Sequence, residues 1–111
     1  MTDDASEQPG GRGPADVAAA GQLTVRSDRV GVMHTIAVAG ELDLATIPEL
    51  ERALEQAEAS DALSIIVDLS RLQFIDSSGV RVLLQAHARS RADSNRLALL
   101  RGPASVQRVL N

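Results

Sequence analysis

Seven residues near the middle of the chain, Leu63-Ser64-Ile65-Ile66-Val67-Asp68-Leu69, are mostly apolar and rich in β-branched side chains. Such a run reads as a central strand covered on both faces. Segments with helical spacing flank it. Upstream, Ile47, Leu50, Leu54 and Ala57 form one apolar stripe, with Glu51, Arg52, Glu55 and Glu58 left to face water. Downstream, Val80, Leu83, Leu84 and His87 share one side, and Arg81, Gln85, Arg89 and Arg91 decorate the rest. A buried strand between two helices calls for parallel pairing through right-handed crossovers.

The remaining elements follow from local chemistry. Gln22 to Ser27 and Val32 to Ala39 alternate as two strands, with Asp28, Arg29 and Gly31 as the turn of a hairpin. Gly40 to Ala45 is expected as a loop, and Thr46 as the N-cap of the first helix. Glu49, three residues on, completes a capping box, and Pro48 falls in the first turn. Ser70 to Ile75 is expected to connect strand to helix. Asp93, Ser94 and Asn95 turn the chain into a last strand, Arg96 to Leu100; Gly102-Pro103 stops it, and a helix begins at Ala104. The fold class is α/β, a mixed β-sheet with helices packed on it in the order ββαβαβα.

Composition narrows the functions. A chain of 111 residues, 44% hydrophobic and 23% charged, is one globular domain. Phe74 is its only aromatic residue, so the core is expected to be aliphatic, and a base- or sugar-stacking surface, which needs aromatic planes, is disfavoured. A net charge of −4 argues against nucleic-acid binding, which needs a basic face. The absence of cysteine excludes disulfides and thiolate chemistry. Residues 1–21, rich in glycine, proline and acids, read as a disordered tail without the apolar core of a signal peptide. No run is long enough to cross a bilayer, so a cytoplasmic location without membrane contact is expected.

One segment carries chemistry. In Asp76-Ser77-Ser78-Gly79 two serines stand where a helix starts, just beyond the buried strand. The N–H groups of a first helical turn lack intrahelical partners, and the dipole makes that end positive. A phosphate formed on a serine there would be received with little rearrangement. Gly79 is expected to let a partner or a phosphate oxygen approach the backbone closely. Ordinary helix capping, in which a serine beside an aspartate at a helix start is common, accounts for the same four residues.

The run Val67-Asp68-Leu69-Ser70 … Phe74-Ile75-Asp76-Ser77-Ser78-Gly79-Val80 … Leu83-Leu84 resembles the signature of bacterial anti-sigma factor antagonists, the STAS-domain proteins of sporulation and general stress control. Gly40-Glu41-Leu42-Asp43 … Thr46 resembles their second signature, the loop before the first helix. The resemblance implies a STAS domain over 22–111 with no cofactor. It also implies a shortened last helix, because family members continue past the position of Asn111. It implies that Ser77 is phosphorylated by the cognate anti-sigma factor, a serine kinase. The unphosphorylated chain would bind that kinase and free the sigma factor; phosphorylation would release it, and a phosphatase would reset the switch. Asp43 would lie beside Ser77, and Asp76, Ser78, Gly79, Glu41 and Thr46 would complete the partner-binding set.

Rival readings are weaker. A serine hydrolase needs G-x-S-x-G, and Ile75 stands where the first glycine belongs. His87 lies ten residues along the same helix, about 15 Å from Ser77 by helical rise, and His34 is expected as a strand residue with a satisfied hydrogen bond. The two histidines lack ligand spacing. Asp43, Asp68 and Asp76 could hold Mg²⁺, but capping and loop ordering explain them more simply. A STAS scaffold that is never phosphorylated, or one that senses a small ligand, is the nearer alternative.

Overall fold

The computed structural model describes residues 21–92, 96–100 and 102. The tail expected over 1–21 lies outside them except for Gly21, as does the helix expected from Ala104. The described elements run β1 (Leu23–Val30), β2 (Met33–Leu42), α1 (Ile47–Ala59), β3 (Ser64–Ile75), α2 (Ser77–Ala92) and β4 (Arg96–Leu100). They form a four-stranded sheet in the order β1-β2-β3-β4, with β1 antiparallel to β2 and the other pairs parallel. Among these residues no helix is long and apolar enough to cross a membrane.

The sheet advances one strand at each crossover, so right-handed connections put α1 and α2 on the same face. Burial follows that geometry. Ile36 and Val38 on β2 and Ile65, Val67 and Leu69 on β3 are buried under Leu50 and Leu54 of α1 and Leu83 of α2. Their neighbours Thr35, Ala37, Ile66 and Asp68 are only half-buried. The expectation of a strand covered on both faces is therefore corrected: β3 is central, but the described helices cover one side.

Several boundaries differ from expectation for one reason, which is that strand pairing continues through polar residues. Asp28 and Arg29 are not a turn; they pair with Thr35 and His34, and the reversal is the two residues Gly31-Val32. Gly31 takes φ 59, a left-handed backbone that favours glycine. The Arg29 guanidinium holds the turn, donating to the Gly31 carbonyl oxygen at 2.7 Å and to Asp61 at 2.7 Å. Gly40, Glu41 and Leu42 belong to β2, and Ser70 to Ile75 belong to β3.

The parallel pairing shifts register twice. Ala37 pairs with Asp68 but Ala39 with Arg71, and Gly40 pairs with Leu72 but Glu41 with Phe74. At each shift β3 carries one extra residue, a β-bulge that leaves Ser70-Arg71 and Gln73-Phe74 as consecutive exposed pairs. Those pairs break the alternation, and without alternation a strand reads as a loop.

The first helix keeps its expected stripe, with Ala53 added, and has Pro48 in its first turn. Glu58 does not simply face water. It accepts a two-pronged pair from Arg89 of α2, at 3.1 and 3.0 Å, that ties the helices together. The second helix is rotated from expectation: Gly79, Val82, Leu83, Ala86 and Ser90 are buried, whereas Leu84 and His87 are exposed. The register is set by the Gly79 turn, which packs against the strand ends.

Candidate functional site

Both motif segments meet at the C-terminal ends of β2 and β3. Leu42 pairs with Ile75 across the parallel ladder, and the Asp76 N–H donates to the Leu42 carbonyl oxygen at 3.1 Å. The G-E-L-D and D-S-S-G segments are thus adjacent at the level of the backbone, and Asp43 and Ser77 are the next residues out from that junction.

Asp76 is the N-cap of α2. Its Oδ1 accepts the Gly79 N–H at 3.0 Å, and its carbonyl oxygen accepts the Val80 N–H at 3.1 Å. Ser77 therefore occupies the first helical position and Ser78 the second. Ser77 is exposed and Ser78 half-buried. Among the described residues the N–H groups of Ser77 and Ser78 have no hydrogen-bond partner, as the geometry of a helix start requires.

Gly79 has a different job from the one expected. It is buried, and a Cβ built on it would lie 2.8 Å from Leu42 Cγ and 2.9 Å from Ile75 Cγ1. The missing side chain seats the first turn of α2 on the strand ends; it does not open the backbone to a visitor.

Thr46 also departs from expectation. It stands at the N-cap position of α1 without a side-chain capping bond, so no capping box forms with Glu49. Its backbone lies in the helical region at φ −101 and ψ −10, and its hydroxyl faces back into the preceding loop. Oγ1 donates to the Glu41 carbonyl oxygen at 2.8 Å and accepts the Asp43 N–H at 3.0 Å. Asp43 in turn uses Oδ1 to accept the Ala45 and Thr46 N–H groups at 3.0 and 3.1 Å. Buried Thr46 and half-buried Asp43 thus fold the loop onto itself, while Glu41 sits in β2 opposite Phe74.

Sequence reasoning missed two residues here. Leu44 is 74% exposed and Phe74, the lone aromatic, 48% exposed, both at this end of the sheet. An aromatic residue left out of an otherwise aliphatic core was the available signal.

The three aspartates considered for Mg²⁺ each accept a backbone N–H of their own loop or helix start: Asp43 as above, Asp68 from Ser70 at 2.9 Å, and Asp76 from Gly79. No group of three or more metal-type ligands occurs among the described residues. For a hydrolase, the histidines are misplaced. His34 pairs with Ile65 at the far end of the sheet, and His87 is ten residues along α2. Among the described residues the expected hydrogen bond of His34 is also absent: its Nδ1 and Nε2 are buried without a partner.

Residues 16–111 match the family described as "Mlab, STAS domain". The chain belongs to the STAS domain family. It is similar to the anti-sigma-B factor antagonist of Listeria monocytogenes, 33% identical over 64 residues that make up 58% of this chain and 56% of that one. A crystal structure of an anti-sigma factor antagonist from Mycobacterium paratuberculosis superposes with a TM-score of 0.69 and 26% identity, covering 79% of this chain and 74% of that one. The anti-sigma factor antagonist SpoIIAA in its unphosphorylated form superposes with a TM-score of 0.65 and 26% identity, covering 78% of this chain and 80% of that one. The chain spans about half the length of the curated relatives it matches. The expected fold class is borne out in these likenesses: a mixed sheet with both described helices packed on it.

Proposed function

We propose that this chain is an anti-sigma factor antagonist that works in the cytoplasm, with Ser77 as its switch. The observation that carries the reading is the exposed Ser77 hydroxyl at the first position of α2, next to backbone donors without partners and fastened to the G-E-L-D loop. In the unphosphorylated state the surface around Asp43, Asp76 and Ser78 docks an anti-sigma factor with serine kinase activity, and the sigma factor goes free. Glu41, Thr46 and Gly79 support that surface from behind, through the contacts described above.

Phosphorylation adds about −1.5 to −2 charges at neutral pH. The fold accepts them, because the N–H groups of the first turn and the helix dipole favour an anion there. The docking surface does not, because Asp43 and Asp76 already make it acidic and a partner would have to desolvate the phosphate. A loss of about 3 kcal/mol weakens a complex more than a hundredfold. A phosphatase then restores the first state.

The test is to incubate the chain with its cognate anti-sigma kinase and ATP, map the modified residue by mass spectrometry, and measure complex lifetime. Ser77→Ala should stay bound in the presence of ATP, and Ser77→Asp should bind poorly. Tight binding by Ser77→Asp would defeat the charge mechanism. Binding without any modification of Ser77 would favour the unphosphorylated scaffold.

A further inference from the structure

The face of the sheet away from α1 and α2 carries a cavity of about 510 Å³ over β1, β2 and β3. Its floor is made of short side chains on β2, Thr35, Ala37 and Ala39. Thr24, Arg26 and Asp28 of β1 form one wall, and Asp68, Ser70 and Arg71 of β3 form the other. This volume lies in the usual range for small-molecule sites, but the walls are polar where such sites are mostly apolar.

The first bulge builds the β3 wall. Because Ala37 pairs with Asp68 and Ala39 with Arg71, the extra residue brings Ser70 and Arg71 together onto the exposed side of β3. Among the described residues the Arg71 guanidinium has neither a hydrogen-bond nor an ion-pair partner. Asp68, which lines the cavity, uses Oδ1 for the Ser70 N–H, and its other oxygen makes no hydrogen bond among the described residues. An unpartnered cation and a carboxylate thus stand on one wall, two β2 residues apart in register, which is about 7 Å along a strand.

From this juxtaposition we infer that the open-face cavity is a binding site for a small zwitterion of dipeptide size. Its carboxylate pairs with the Arg71 fork, assisted by the Ser70 hydroxyl, and its ammonium pairs with Asp68. Two residues of extended chain span about 7 Å, the same as the separation of the two register positions along the strand. A polyanion is disfavoured by Asp68 and Asp28, and a polycation by Arg71. The site stands apart from the Ser77 switch and does not depend on it.

Glycylglycine is the probe, titrated into the full-length protein and followed by amide NMR. Saturable shifts are expected at Ala37, Ala39, Ser70 and Arg71 at millimolar concentration. N-acetylglycylglycine, which lacks the ammonium, and glycylglycinamide, which lacks the carboxylate, should each bind on the order of tenfold more weakly. Arg71→Gln should abolish the preference for a free carboxylate. Asp68→Asn, whose amide oxygen can still accept the Ser70 N–H, should abolish the preference for a free ammonium. Both variants should keep the parent circular dichroism spectrum. The inference is overturned if those amides do not move, if all three probes bind alike, or if only longer peptides bind.

Discussion

The backbone N–H of Asp76 donates to the carbonyl oxygen of Leu42 at 3.1 Å, so the strands that lead into G-E-L-D and D-S-S-G are fastened where both segments leave the sheet. The same Leu42, fully buried, forms the seat of Gly79. One leucine thereby sets the height of the first turn of α2 and the exit direction of the Asp43 loop.

Gly79→Ala tests that seat. The added Cβ meets Leu42 at its branch carbon, 2.8 Å away, which cannot swing aside as a chain end can. Helix propensity favours alanine by about 1 kcal/mol, whereas overpacking costs about 1–3 kcal/mol. Urea unfolding should show a net loss of up to about 2 kcal/mol. An unchanged midpoint would mean that the seat yields.

Thr46→Val keeps the shape and removes the hydroxyl from a residue only 5% exposed. The Glu41 carbonyl and the Asp43 N–H both lose a partner. A loss of about 2 kcal/mol is expected in thermal or chemical unfolding, and Thr46→Ser should recover most of it. Equal losses for serine and valine would show that the methyl group matters as much as the hydroxyl.

Asp61 gives a pH dependence. The hydrogen bond and charge of Arg29 hold its carboxyl below the ordinary value of 3.8. A depressed folded pKa contributes stability that is present above the unfolded pKa and is lost as pH falls through the folded one. Stability should therefore decline below about pH 4 partly through this pair. Asp61→Asn should flatten that part of the acid limb and leave neutral-pH stability little changed, because the pair is exposed and screened. An acid limb identical to the parent's would show that the pair does not form in solution.

His34→Leu should be neutral or stabilising by about 1 kcal/mol, because among the described residues no hydrogen bond is lost and a buried polar group without partners is replaced by an apolar one. Differential scanning calorimetry reads the sign. A fall in Tm would mean that the imidazole has a partner in solution.

How much of this was legible depended on whether side-chain period survived. The α1 stripe of Ile47, Leu50, Leu54 and Ala57 read correctly because its period is regular, and the strand Arg96 to Leu100 because turn residues precede it and Gly102-Pro103 follows it in the sequence. The second half of β3 did not, because two bulges put exposed residues side by side at Ser70-Arg71 and Gln73-Phe74. The α2 face was misjudged because a glycine, and not Val80, is its deepest contact with the strand ends. At the site, the pattern gave Asp76 and Ser77 their places at the helix start. It could not give the role of Thr46, since a threonine before a helix looks the same whether its hydroxyl turns forward or back.

The paired bulges also shape how this strand can drift over evolutionary time. From Ala37 to Leu42 is five steps on β2, whereas from Asp68 to Ile75 is seven on β3. Each bulge absorbs its own extra residue, so Leu72 is buried opposite Gly40 after the first and Ile75 opposite Leu42 after the second. A lineage could therefore lose either surplus residue and keep Ile75 under the serine-bearing turn, giving up only a local kink and one exposed side chain.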